Sequence, residues 1–219
     1  MTRPELMTDF FSKRADGYDL HMLNDVEGCR EGYEMLPSLI PRTAVRLLDI
    51  GCGTGLELDY ILAKRELSVL GIDICVAMTD LLKIKHPEVQ IINADYFDAD
   101  FGSGFDVALS FETLHHFKKE EKLLLYKKIY DAISDEGIYI ECDYMVDTDK
   151  ESNRLMQIAD EARREYSIPD GTLLHIDTPL SISAERELLL SAGFCDIKEL
   201  MHIGGTVMLI AKKRAVNNK

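Results

Sequence analysis

The stretch Leu47-Leu48-Asp49-Ile50-Gly51-Cys52-Gly53-Thr54-Gly55 decides the fold. Residues 45–50 make a near-continuous apolar run, as expected for a strand buried on both faces. Glycine then recurs at alternate positions, which lets the backbone turn sharply and approach a ligand with no Cβ in the way. An amphipathic stretch follows, to about residue 64. The next apolar run, Ser68–Ile72, ends at an acid, Asp73, which follows Gly51 by 22 positions. Strand, glycine loop, helix and a carboxylate closing the second strand together suit a nucleoside, the carboxylate accepting from both ribose hydroxyls.

Outward from that unit the rhythm continues. Val76–Lys85 reads as a helix that Pro87 stops, and residues 89–93 and 105–110 read as strands. A helix over 118–133 carries Leu123, Leu124, Ile129 and Ile133, Gly137 ends that unit, and 138–142 is a fifth strand. Strands alternating with helices imply right-handed crossovers. The runs 194–200 and 206–211 are only about five residues apart, with Gly204-Gly205 between them, too close for a crossover helix, so they pair as an antiparallel hairpin. The expected fold is α/β: a doubly wound, mostly parallel seven-stranded sheet with an antiparallel C-terminal strand and helices on both faces. Residues 1–219 read as one domain with two additions. Residues 1–44 form a helical extension with a helix over 25–36. Residues 149–192 exceed a single crossover: a helix over 149–166, a break at Ile168-Pro169-Asp170-Gly171, and a helix over 183–192 with Ser at its start and Gly193 just past its end. Both additions can fold over the carboxyl edge of the sheet, where open α/β folds bind ligands.

Lys plus Arg number 25 against 39 Asp plus Glu, a net charge of −14. A field of that sign repels phosphate backbones and anionic lipid, so neither nucleic acid nor a membrane surface is an expected partner. Five scattered cysteines form no CxxC pair, which points away from zinc fingers and disulfide frameworks and towards a reducing cytoplasm. The opening MTRPELMTDFF carries acids and no apolar run, unlike a signal peptide.

The run 47–55 (LLDIGCGTG) resembles the first motif of the class I, Rossmann-like S-adenosylmethionine (SAM)-dependent methyltransferases. Gly71–Asp73 resembles their second motif, Ala94-Asp95-Tyr96 the third and 105–117 (FDVALSFETLHHF) the fourth, so the likeness covers about residues 42–145, and the terminal hairpin agrees with the family's last two strands. The resemblance implies SAM as donor and S-adenosyl-L-homocysteine as product. It places Gly51, Cys52 and Gly53 along the methionine moiety through their backbones, with Asp49 nearby ordering its amino group. Asp73 would hold the ribose diol, Ile74 and Met78 would pack near the adenine, and Asp95 would accept from the adenine amino group beside Tyr96. Ser110 and Phe111 would border the amino-acid end, and Tyr18 resembles the N-terminal tyrosine that closes over the donor. A sulfonium is an activated electrophile, favoured by carboxylates and by aromatic faces at about 0.5–2 kcal/mol each.

For the acceptor, His115 and His116 are the candidate catalytic residues, because they leave the fourth strand at the carboxyl edge. Adjacent histidines on an extended segment point in different directions, so both cannot readily serve one acceptor, and no third ligand at zinc spacing accompanies them in sequence. His175 and Asp177 lie in the insertion, which is expected to be the acceptor lid. Charge and size favour a small-molecule substrate. Two other readings stand beside this one. A nicotinamide-dependent oxidoreductase wants G-x-G-x-x-G, but Leu56 occupies the third glycine's place and Gly55 comes one position early. A non-catalytic SAM-binding partner subunit would keep every donor motif.

Overall fold

Side chains alternate across each strand and divide the interior into two layers. In the computed structural model, which describes residues 3–214, Leu47 of β1 (Arg46–Ile50) faces one layer while Leu48 and Ile50 face the other. The same alternation runs through β4 (Phe105–Phe111), with Val107 and Leu109 on one side and Ala108 on the other, and through β5 (Ile133–Tyr144), with Ile138 and Ile140 opposite Tyr139. α3 (Cys29–Leu39) and α4 (Leu56–Leu62) close one layer; α6 (Lys119–Ala132) and α8 (Ile182–Ala192) close the other.

With β2 (Ser68–Ile72), β3 (Gln90–Ile92), β6 (Phe194–Ile203) and β7 (Thr206–Lys213), the sheet has the order β3-β2-β1-β4-β5-β7-β6. β7 alone runs against the rest, paired on both sides. It lies inside the sheet rather than at its edge, and both its faces are buried, Val207 and Leu209 in one layer and Met208 in the other. Strand order reverses between β1 and β4, where Ile50 pairs with Ser110, and the crevice beyond their carboxyl ends is the ligand-binding position of such folds.

β2 and α5 (Val76–Lys85) have the bounds read from the sequence. β5 does not: it starts at Ile133 and runs through Gly137, where the sequence marks an ending. Phe105 pairs with Ile133 but Val107 with Ile138, so the extra residues bulge at Glu136, whose φ is 65°. α3 begins at Cys29, later than the periodicity suggests. Gly28 before it has φ 85°, and a Cβ there would stand 2.9 Å from the Ile203 carbonyl oxygen, so docking on the β6–β7 hairpin fixes the start.

The two additions meet each other. α1 (Met7–Ser12) and α2 (Tyr18–Asn24) lie over the carboxyl edge, joined by a 3-10 turn at Ala15–Gly17. The Met7 amide donates to the Leu173 carbonyl (3.1 Å) and the His175 amide to that of Glu5 (3.1 Å). Within 149–192, α7 (Asp149–Glu165) and the loop after it are the extra part, since α8 packs on α6 as the crossover helix. No helix among the described residues is long and apolar enough to cross a membrane.

Ser181 caps α8 by accepting from the Ala184 amide (3.1 Å), and its hydroxyl also donates to Asp149, tying the insertion to the crossover helix. Ser181→Ala should cost about 0.5–2 kcal/mol. In thermal unfolding that amounts to a midpoint lower by roughly 2–4 °C per kcal/mol for a domain of this size; an unchanged midpoint would show the cap to be energetically idle.

Candidate active site

The glycine loop is fastened to β2 before any ligand arrives. Amides of Gly51 and Cys52 donate to the Ile72 carbonyl (2.8 and 3.3 Å). The Asp73 carboxylate accepts from the Gly53 amide through Oδ2 (2.9 Å) and from the Cys75 amide through Oδ1 (2.7 Å), so it stands in a fixed orientation at the crevice. Burial raises its pKa to about 6, against the downward pull of those two amides. Each oxygen keeps a further lone pair for a ligand hydroxyl.

Beyond this carboxylate lies a cavity of about 590 Å³. Its polar wall is Gly51, Gly53, Asp73 and Asp95; Ile74, Met78, Tyr96 and Phe111 supply apolar surface; and the additions close it with Met7, Phe11, Tyr18 and Leu173. At Gly51 (φ 77°) a Cβ would come 2.5 Å from Oγ1 of Thr113 and 2.7 Å from the Tyr96 hydroxyl, so only glycine fits there. The lining suits SAM: carboxylates at Asp73 and Asp95, apolar surface for an adenine, and a side-chain-free turn for the amino-acid tail. Tyr18 stands at the head of α2, and its neighbour Asp19 accepts from the Thr54 hydroxyl of the glycine loop (2.5 Å) and from Lys85 (3.1 Å). The covering helix is thereby bonded to the loop it covers.

Of the donor residues expected from sequence, Tyr18, Gly51, Gly53, Asp73, Ile74, Met78, Asp95, Tyr96 and Phe111 line this cavity. Asp49, Cys52 and Ser110 do not. The Cys52 side chain turns away into the sheet, close against Gly71. Ser110 spends its hydroxyl on that of Tyr139 (2.7 Å) in the opposite layer. Asp49 is buried beneath the loop beside Glu57, its oxygens without any N–H or O–H donor outside that pair among the described residues. Burial raises both carboxyls, Asp49 to about 7 and Glu57 well above the ordinary range. Both Asp49 oxygens lack a hydrogen-bond partner among the described residues, and an ammonium nearby would favour the ionised carboxylate.

A second chamber adjoins the first and shares Phe11, Tyr18, Glu112 and His116 with it. Its other walls include His115, His175, Asp177, Arg14 and Phe10. Sequence spacing suggests that His115 and His116 diverge. Instead the 3-10 turn at Leu114–His116 brings their rings to 4.1 Å between centroids. His115 Nδ1 meets the buried Asp143 carboxylate at 2.5 Å, and that carboxylate also accepts from the amides of Leu114 and Tyr144 (2.9 Å each). Burial by itself would lower the His115 pKa, but Asp143, Glu112 and Asp177 outweigh it and carry it to about 9. His116 is lowered, by burial first and by His115 second. His175 stacks on Phe10 at 3.4 Å between centroids. A third group beside the two histidines, absent from the local sequence, is present in space: Asp177 Oδ1 lies 3.4 Å from His116 Nδ1 and 3.7 Å from His115 Nε2.

Glu112, Thr113 and Asp143 were not singled out in the sequence. Asp143 carried the same signal as Asp73, an acid closing a buried strand, while Met7, Phe11 and Leu173 carried none.

Residues 47–137 match the family described as a methyltransferase domain. The chain is 25% identical over 181 residues to a carboxy-S-adenosyl-L-methionine synthase of Nautilia profundicola, covering 77% of each chain. It is 29% identical over 154 residues to an uncharacterized methyltransferase of Staphylococcus carnosus, covering 68% of this chain and 73% of the relative. Among solved structures, phosphoethanolamine N-methyltransferase 2 of Haemonchus contortus, in complex with SAM, superposes with a TM-score of 0.72 at 17% identity. That match takes in 94% of this chain and 60% of the other, so the chain spans about three-fifths of its length.

Asp73→Asn should weaken SAM binding roughly ten- to a hundredfold in calorimetry, the value of about 1.5–3 kcal/mol for hydrogen bonds to a charged acceptor. The ionised carboxylate is the form that accepts both hydroxyls. Wild-type affinity should therefore be full well above pH 6 and fall as the pH drops through about 6, where Asp73 takes up its proton. Equal affinity in the variant, or an affinity flat between pH 5 and 7, would remove Asp73 from the donor site.

Proposed function

We propose that the chain is a class I SAM-dependent methyltransferase that methylates a small molecule bound in the second chamber. The observation that carries this reading is the shared wall: Phe11, Tyr18, Glu112 and His116 border both cavities, so a donor in the first faces an acceptor in the second. When bound, SAM supplies a sulfonium methyl that needs no further activation. The work left to the chain is alignment and exclusion of water, which together can contribute about 7–11 kcal/mol.

Asp73 holds the ribose, and the glycine turn at Gly51 and Gly53 lets the tail pass close to the backbone; Asp95 and Tyr96 border the adenine, with Ile74 and Met78 beneath it. Asp49, Cys52 and Ser110 contribute through backbone position and buried charge rather than by contact of their side chains. Tyr18 and Phe11, packed edge to face at 6.0 Å, cover the reacting region and keep water out. Residues 149–192 act as the acceptor lid: the loop after α7 brings Leu173 to the donor chamber and His175 and Asp177 to the acceptor chamber. His115 and His116 hold the acceptor rather than both drawing its proton, since His115 already keeps its own against Asp143. The pyrophosphate of a nicotinamide dinucleotide has no cationic partner on the donor wall and meets Asp73 and Asp95 instead, which disfavours the oxidoreductase alternative.

The test is a screen of metabolite pools with methyl-labelled SAM, read by mass spectrometry for S-adenosylhomocysteine and for a labelled acceptor. Both should form with the protein alone. Tight SAM binding with no turnover in any pool would make the chain a binding subunit, and carboxy-S-adenosylmethionine as the nucleoside product would move it to the reaction for which several relatives are named. Once an acceptor is known, His175→Ala should raise its KM roughly two- to tenfold, equivalent to about 0.5–1.5 kcal/mol of ring contact, with SAM affinity unaltered. A changed SAM affinity and an unchanged acceptor KM would place the insertion over the wrong chamber.

A further inference from the structure

The residues that face the second chamber are more than a polar floor. We propose that Nε2 of His115, Nδ1 of His116 and the Asp177 carboxylate hold a divalent transition-metal ion, with an open position towards the acceptor. The proposal deepens the methyltransferase reading by giving the acceptor chamber an anchor.

Four observations carry it. One ligand atom from each of the three side chains lies within 4.8 Å of the others, with Asp177 Oδ1 3.4 Å from His116 Nδ1 and 3.7 Å from His115 Nε2. In a tetrahedral site with bonds of about 2.0–2.2 Å, ligand atoms stand about 3.3–3.5 Å apart, so little movement is required. Second, Asp143 holds the Nδ1 proton of His115, so Nε2 is the nitrogen that a metal would occupy, displacing the proton it carries. Its own oxygens are held by the amides of Leu114 and Tyr144, so this is a buried carboxylate orienting a ligating imidazole, as outer-shell carboxylates do. Third, the His116 contacts that a metal would replace are long for hydrogen bonds, 3.4 Å both to the Ile176 carbonyl and to Asp177. Fourth, Glu112, Asp143 and Asp177 surround the two imidazoles, with Glu112 Oε2 3.7 Å from His115 Nδ1, so a dication that displaced the His115 proton would still face carboxylates.

Asp177 is half exposed and faces a cavity of about 1180 Å³, so the site is open on one side, as catalytic metal sites are, rather than closed as structural ones are. Imidazole and carboxylate together suit zinc, iron(II), cobalt(II) or nickel(II) rather than magnesium or calcium. The ligand class for the open position is an oxygen donor of the acceptor, a hydroxyl, carboxylate or carbonyl, delivered beside the shared wall.

Cobalt(II) alone is the probe. Tag-free protein, stripped with a chelator, is titrated with cobalt(II) and followed by its visible absorption and by calorimetry, without SAM or acceptor. The expected result is one ion per chain, with the visible bands of a four- or five-coordinate site. Affinity should fall at least about tenfold in Asp177→Ala and about ten- to a hundredfold in Asp143→Asn, the usual effect of losing an outer-shell carboxylate. His202→Ala, remote from the cluster, should match wild type, and SAM affinity should be retained in Asp177→Ala, which shows that the variant is folded. Absence of a one-to-one spectrum in wild type, or equal affinity in Asp177→Ala, overturns the site. Failure of SAM to bind the wild-type protein would instead overturn the methyltransferase reading and leave the metal result standing.

Discussion

The Asp73 carboxylate bonds to two backbone amides twenty-two residues apart in sequence, those of Gly53 and Cys75, and the donor site is built around it. One oxygen draws in the glycine loop that follows β1, and the other sets the first turn of α5. The loop cannot drift from β2, and the backbone surface that a ligand would meet is in place beforehand. Its raised pKa reflects the cost of keeping that carboxylate half buried, which a ligand that donates two hydroxyls can offset.

A second buried carboxylate organises the neighbouring chamber in the same way. Asp143 ends the apolar part of β5 and binds the start of the 3-10 turn after β4, as Asp73 binds the turn after β1. The resulting geometry turns two sequence neighbours, His115 and His116, into a pair facing one space. Both chambers therefore rest on one device: an acid at the carboxyl end of a parallel strand, satisfied by amides of the adjoining loop and left with capacity for a ligand. The additions then roof the two chambers with aromatic rings, and the bonds of Asp19 to Thr54 and Lys85 hold the first helices against the loop they cover.

Legibility in the sequence followed physical range. β2 and α5 carried their own boundaries, because an apolar run and a closing Pro87 are local signals. The hairpin was legible from its short connection, and Gly51 from the turn that only glycine completes. The start of α3 and the bulge in β5 were not. Gly28 adopts its conformation because the β6–β7 hairpin lies against it, and β5 lengthens because β4 offers partners as far back as Phe105. Likewise, Cys52 and Ser110 match their motif positions, yet both side chains turn inward, Cys52 from the glycine loop against Gly71 and Ser110 from β4 onto Tyr139.

The sequence by itself determined the order of strands and helices, the donor-binding turn and the acid that accompanies it, since each depends on residues within one βαβ unit. Only the tertiary structure decided which groups face the acceptor. Asp143, Asp177 and Phe11 come from a core strand, an insertion and the N-terminal extension, separated by up to 166 positions in the chain. Nothing local couples them. They converge because the sheet carries its strands to a common edge and two separate additions fold back over that edge, a juxtaposition that exists only once the long-range contacts have formed.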